Sequence, residues 1–146
     1  MYRELKVESS KLQGEKDRQM KFGYEDLDVW NRAVNFAVKV IELLETVDTG
    51  RRHYRLFEQI EASSTSVPMN LAEGKGRNSK KEFVQFCYIA RGSMYETMTL
   101  LEIFRRKKWI TDTAYSQHEK EAIEIVSMIK GLINAIDKSS KMKGSS

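Results

Sequence analysis

One cysteine, one proline and two histidines leave few chemistries with raw material in this chain of 146 residues. Cys87 alone closes no internal disulfide and forms no Cys-x-x-Cys metal knuckle, which excludes a stapled secreted scaffold and a zinc finger. No apolar run approaches the ~20 residues of a membrane span. The opening stretch, MYRELKVESSKLQGEKDR, lacks the apolar core of a signal peptide. The expected location is therefore the cytoplasm. There is no glycine-rich phosphate loop and no β-hairpin turn signal. Eight glycines and a single proline are too few for a collagen-like or mucin-like chain. Hydrophobic residues at 40% and charged residues at 32% instead suit one soluble globular domain. The net charge of +4 points only weakly to a polyanionic partner.

Residues 1–24 carry six basic and four acidic side chains without an apolar period, and read as a charged, flexible extension. A bundle of four helices is expected over 25–137, and a Lys/Ser-rich tail over 138–146. Within the bundle, four segments repeat apolar or small residues at 3-4 spacing. The first is Leu27, Trp30, Val34, Ala37, Ile41 and Leu44. The second is Phe57, Ile60, Ser64, Val67, Leu71 and Gly74. The third runs from Phe83 and Phe86 through Ala90, Ser93, Thr97 and Leu100 to Phe104. The fourth runs from Tyr115 and His118 through Ala122, Ile125, Ile129 and Leu132 to Ile136. Segments of about 20–27 residues, roughly 30–40 Å each, predict helices packed lengthwise. Short connections make neighbours antiparallel, which gives an all-α, up-down-up-down four-helix bundle.

The boundaries carry their own signals. Asp26 is a candidate N-cap for the first helix, which Asp48-Thr49-Gly50 should end. Gly74-Lys75-Gly76 should stop the second through glycine's left-handed freedom. Ser79 with Glu82 is a capping box, and Thr111 or Asp112 can cap the fourth helix. Pro68, behind the polar run Ala62-Ser63-Ser64-Thr65-Ser66, predicts a kink near Ser64. That run reads either as close helix packing with hydroxyls bonded back to carbonyls, or as a polar pocket.

Catalysis has little support. His53 and His118 are the only histidines, and no Glu-x-x-His pair of the di-iron bundle type is present. Glu73, Glu82 and Glu96 would have to meet in space, and a Cys87–His nucleophile would need an unseen tertiary contact. The expectation is no enzyme, no metal and no cofactor.

Self-association has more. The first helix carries a second apolar column that includes Val29, Phe36, Val40 and Leu43. The third adds Met94 and Met98, interrupted by Arg91. An apolar arc wider than one stripe either fills a fat core or buries against a second copy. The latter makes these seven residues a candidate oligomer interface, with Arg91 a buried charge in need of a carboxylate.

Basic residues gather where antiparallel topology places the loops. Arg51, Arg52, Arg55, Arg105, Arg106, Lys107 and Lys108 would share one pole, opposed only by Asp48 and Asp112. Lys75, Arg77, Lys80, Lys81 and the tail lysines 138, 141 and 143 would share the other. Cations complement helix C-termini in any helical protein. Repeated around an oligomer, they would form a basic ring suited to nucleic-acid phosphates, with Tyr54 and Trp109 available to stack on unpaired bases.

A set of motifs adds a resemblance. In order they are Asp26-Leu27-Asp28-Val29-Trp30, Gln59-Ile60, Ser66-Val67-Pro68-Met69-Asn70-Leu71-Ala72-Glu73-Gly74, Gly76-Arg77-Asn78-Ser79, Glu82-Phe83 and Ala90-Arg91-Gly92-Ser93-Met94-Tyr95-Glu96. Over about residues 24–137 the chain resembles the four-helix-bundle proteins encoded in intervening sequences of bacterial large-subunit ribosomal RNA genes. The accessory variability determinant (Avd) of diversity-generating retroelements shares that fold family. The resemblance implies a homopentameric barrel with a basic surface. For the retroelement branch it implies RNA and a reverse transcriptase as partners, so a non-enzymatic accessory protein of that type is the leading expectation. An RNA-binding or protein-interaction scaffold of the intervening-sequence type is the alternative.

Overall fold

The computed structural model describes the backbone of residues 22–144 and the side chains of residues 22–139. A 3-10 turn, Gly23–Asp26, leads into four helices: α1 Asp28–Glu45, α2 Tyr54–Lys75, α3 Lys80–Arg106 and α4 Asp112–Gly144. There is no strand among the described residues. The predicted extension over 1–24 lies outside them up to residue 21. α4 continues to Gly144, through most of the Lys/Ser-rich segment 138–146. The side chains of Lys141 and Lys143 fall outside the description.

Each helix neighbours two others, with α1 against α2 and α4, and α3 against α2 and α4. Between α2 and α3 the hydroxyls of Ser63 and Thr97 lie 2.8 Å apart and those of Ser66 and Ser93 2.9 Å apart. The run of small polar residues is thus a close-packing seam. Ser63, Ser64 and Thr65 also donate to carbonyls one turn earlier, at Ile60 and Glu61, so no hydroxyl there is stranded. α2 runs unbroken through Pro68.

Gly74 serves packing rather than termination. A Cβ there would meet the Phe86 Cβ at 2.7 Å and the Phe83 ring at 3.0 Å. Gly76, the actual C-cap, has φ −79° and needs no left-handed conformation. At the start of α1 the N-cap is Leu27, with Asp26 still in the preceding turn, and the helix ends at Glu45, before Asp48. The Ser79 hydroxyl accepts from the Glu82 amide at 3.1 Å, and the Thr111 hydroxyl accepts from the Ala114 amide at 3.0 Å.

The core corrects the reading of α1. Val29, Ala33, Phe36, Ala37, Val40 and Leu44 are buried, whereas Trp30, Val34 and Ile41 of the expected seam are only half-buried. The column assigned to an oligomer interface is therefore largely the monomer's own core. Val29, Phe36 and Val40, with Met94 on α3, are enclosed and offer no surface to a partner. Leu43 and Met98 are half-buried against the same core. Arg91 is half-buried too, but lies between the rings of Tyr88 and Tyr95, 4.9 and 5.8 Å from their centroids, instead of facing a carboxylate. The seams expected on α2, α3 and α4 do face inward: Ile60, Val67 and Leu71, then Ala90, Thr97, Leu100 and Phe104, then Ala122, Ile125, Ile129 and Ile136 are buried.

Candidate nucleic-acid interface

The end of α3 organises one pole. Its last turn closes in a Schellman arrangement: the Trp109 amide donates to the Phe104 carbonyl and the Lys108 amide to the Arg105 carbonyl, both at 2.9 Å. Lys108 occupies the left-handed position with φ 61°, where glycine is the usual residue. The accompanying apolar contact is Trp109 on Phe104, ring centroids 5.1 Å apart. Trp109 then stacks on Phe57 at 6.0 Å and meets His53 at 4.9 Å, which fastens the end of α3 to the start of α2. Lys107 lies over the outer face of the indole, 5.8 Å from its centroid. Trp109 is thus half-buried inside a stack and is no open platform; Tyr54, 61% exposed, is the accessible ring.

This aromatic clasp gathers the predicted cations of the 51–55 and 105–108 segments, but they divide into two kinds. Arg105 and Arg106 are spent on Glu102. Arg105 reaches its two carboxylate oxygens at 2.6 and 2.7 Å, Arg106 reaches one at 3.0 Å, and Arg105 also touches Asp112 at 3.4 Å. Those hydrogen bonds hold the Glu102 carboxyl down at about 2 and raise the Arg105 guanidinium above its ordinary range. Arg51, Arg52, Arg55, Lys107 and Lys108 form no ion pair among the described residues, and all five are exposed. The sequence reading overlooked Glu102, although a glutamate three and four residues before two arginines is the helical pairing rule itself.

The 46–53 loop is built tightly. The Gly50 amide donates to the Asp48 carboxylate at 2.9 Å, and the Thr49 hydroxyl donates to the Arg52 carbonyl at 2.6 Å. Gly50, Arg51 and His53 all have left-handed φ, of 63°, 63° and 68°. Arg51, His53 and Lys108 are the described non-glycine residues with positive φ, and all three lie at this pole. Such backbone conformations cost of order 1 kcal/mol each and are held only where the surroundings fix them.

The second predicted cluster is closer to ordinary helix-end chemistry. Arg77 pairs with Glu73 at 2.7 Å and covers the Phe86 ring. Lys75 covers Phe83 and packs its stem on Gly23, and Lys80 donates to Ser139. Lys81 is exposed.

The candidate catalytic residues do not assemble. Cys87 is buried, and burial pushes its thiol up to about 11, away from the thiolate a nucleophile needs. His118 packs on the α1 side of α4, its Nδ1 2.7 Å from the Ala114 carbonyl and its ring edge-on to Phe36. Glu96 accepts from Gln59, and Glu73 holds Arg77. No cluster of metal-ligating side chains occurs, and no helix is long and apolar enough to cross a membrane, among the described residues.

Neutralising Glu102 checks the electrostatics. Glu102→Gln should free Arg106 and leave Arg105 to Asp112, so that the salt dependence of binding to a single-stranded polyanion used as probe steepens by about 0.7 log units per log unit of salt. Because the folded-state carboxyl titrates near 2 against an ordinary 4.5, its stabilisation is complete above pH 4.5 and fades as pH falls towards 2. The melting-temperature gap between wild type and Glu102→Gln should close over that window.

Together these features define a four-helix-bundle protein with an aromatic-buttressed cationic pole. The sequence places it more narrowly: residues 25–131 match the family of 23S rRNA-intervening sequence proteins, and the chain belongs to that family. Among solved structures, it is similar to a protein with unknown function from the S23 ribosomal protein family of Bacteroides thetaiotaomicron. The two are 26% identical with a TM-score of 0.67, and the match covers 72% of this chain and 97% of that one. A comparison with curated proteins finds no match.

Proposed function

We propose that this chain is a non-catalytic RNA-binding scaffold of the intervening-sequence type, an up-down-up-down bundle that works as a homo-oligomer and holds RNA phosphates at the 51–55/107–108 pole. The observation that carries this reading is the group of five exposed cations without carboxylate partners around one aromatic clasp. Phosphate contacts of this kind are sequence-tolerant and salt-sensitive. Inter-helix contacts that run in opposite residue order support the topology: Arg32 with Glu124 and Lys39 with Glu121 across α1 and α4, Gln59 with Glu96 and Ser66 with Ser93 across α2 and α3.

Of the residues first expected at an interface, half-buried Met98 borders a surface open to self-association. An apolar groove of about 260 Å³ between α3 and α4 presents Tyr95, Met98, Ile123 and Val126. Ile123 is 62% exposed there, and on α1 Val38 is 47% exposed beside half-buried Val34 and Ile41. A groove on one flank and an apolar ridge on another suit head-to-tail contact, which closes into rings when the rotation allows. The homopentamer fits this pattern.

The family match favours the intervening-sequence reading over the retroelement one, in which a reverse transcriptase would be the partner. Retention of single-stranded RNA on filters across a salt series tests the proposal. Binding that falls steeply with salt is expected, and salt-independent binding or none overturns it. Light scattering that finds a monomer overturns the oligomeric part.

A further inference from the structure

Beside the cationic pole, the end of α1, the 46–53 loop and the first turns of α2 enclose an open pocket of about 400 Å³. Its apolar wall comes from Leu44, Val47 and Phe57, and Tyr54 lines it as an exposed ring. Arg51 and Arg52 supply its cations. Three carboxylates line it: Asp48 is engaged by the Gly50 amide, whereas neither Glu45 nor Glu61 forms a side-chain hydrogen bond or ion pair among the described residues. Four charged side chains with no internal partner thus face one cavity that also carries an aromatic ring.

Phosphate binding accounts for the arginines but not for the carboxylates, which would repel a phosphate. A nucleobase accounts for both. Its faces suit the apolar wall and Tyr54, its phosphate suits the arginines, and its edge must then present N–H donors to a carboxylate. The bases differ sharply in that respect. Guanine offers N1–H and the N2 amino group side by side, a matched pair of donors for the two oxygens of one carboxylate. Uracil offers one N–H between two carbonyls. Adenine and cytosine each set an acceptor nitrogen beside their amino group. Three of the four bases therefore place a lone pair against the carboxylate, and guanine does not.

We infer that this pocket takes an unpaired guanine of the bound RNA, stacked on Tyr54, with its Watson–Crick edge on Glu61 or Glu45 and its phosphate on Arg51 and Arg52. This rests on the RNA-binding reading and adds base selectivity to it. The Gly50–Asp48 and Thr49–Arg52 hydrogen bonds hold the loop that shapes the pocket before RNA arrives, left-handed Arg51 included.

The test compares a twelve-residue uridine oligonucleotide with one in which a single central uridine is replaced by guanosine, using the full chain and fluorescence anisotropy. The guanosine oligonucleotide should bind about ten-fold tighter, the size of one bidentate base contact. Glu45→Gln with Glu61→Gln should abolish the preference, so that the two oligonucleotides bind this variant alike. Tyr54→Leu should weaken the guanosine oligonucleotide by ten-fold or more through lost stacking. Circular dichroism of each variant confirms that it is folded. Equal affinities for the two wild-type complexes, or a guanosine preference that survives the double glutamine change, overturn the pocket assignment while salt-sensitive binding of both oligonucleotides leaves the phosphate-binding reading intact. Failure of either oligonucleotide to bind in a salt-sensitive way overturns both.

Discussion

Replacing Arg51, Arg52, Lys107 and Lys108 together with glutamate is expected to lower RNA affinity by on the order of 10²–10³-fold at ~0.1 M salt, with the helices intact. Each phosphate neutralised on a single strand contributes ~0.7 to the slope of log affinity against log salt. Four lost contacts therefore flatten the slope by about 3, and extrapolation from 1 M gives the affinity loss. The four side chains are exposed and unpaired, so their reversal breaks no ion pair within the described residues. Among the described residues the reversal removes the contact of Lys107 with the Trp109 ring. Reversing Arg105 and Arg106 instead should have a smaller effect on affinity, because Glu102 already occupies both. It should also destabilise the fold, since three carboxylates would then crowd one turn of α3. Filter retention and circular dichroism on the two variants separate these outcomes. A loss of affinity confined to the Arg105/Arg106 variant would show that the cations have been ranked wrongly.

Phe36→Ala should cost about 3–5 kcal/mol of stability, and Val34→Ala less than ~1 kcal/mol, measured by urea unfolding. Phe36 is fully enclosed and meets the His118 ring, so its removal leaves a cavity that the bundle can close only in part. Val34 sits on the flank, half-buried. The contrast is informative because a strict heptad count puts Val34 on the seam and Phe36 beside it. Equal costs would mean that α1 is rotated about its axis relative to the arrangement described here.

That rotation shows where the sequence was legible and where it was not. On α2, α3 and α4 the 3-4 spacing picked out residues of the buried face, although on α3 Cys87, Met94 and Leu101 beside the stripe are buried as well. On α1 two apolar columns run side by side, and the buried arc takes Ala37 and Leu44 from one and Ala33, Phe36 and Val40 from the other. The buried arc of α1 therefore straddles the two columns instead of following either one. Which arc wins depends on the small Ala33 and Ala37 fitting against neighbours, which is a tertiary fact.

The cationic pole was legible in outline, since short loops bring residues 46–53 and 107–111 together. Its internal economy was not. Glu102 engages two of the seven cations, and Trp109, which looked like an open stacking surface, became the buttress between α2 and α3. Gly74 misled for a related reason. Glycine near a helix end suggests a left-handed stop, yet here it makes room for Phe86. Net charge proved the least informative number. Partner-free cations at one end matter more than an overall +4.

The most direct test of that placement is to crosslink the full chain to single-stranded RNA carrying 4-thiouridine and to map the modified peptides by mass spectrometry. Adducts should fall within residues 51–57 and 105–111, on both sides of the Trp109 clasp. Adducts confined to residues 75–81 or to the α1/α4 flank would contradict the account.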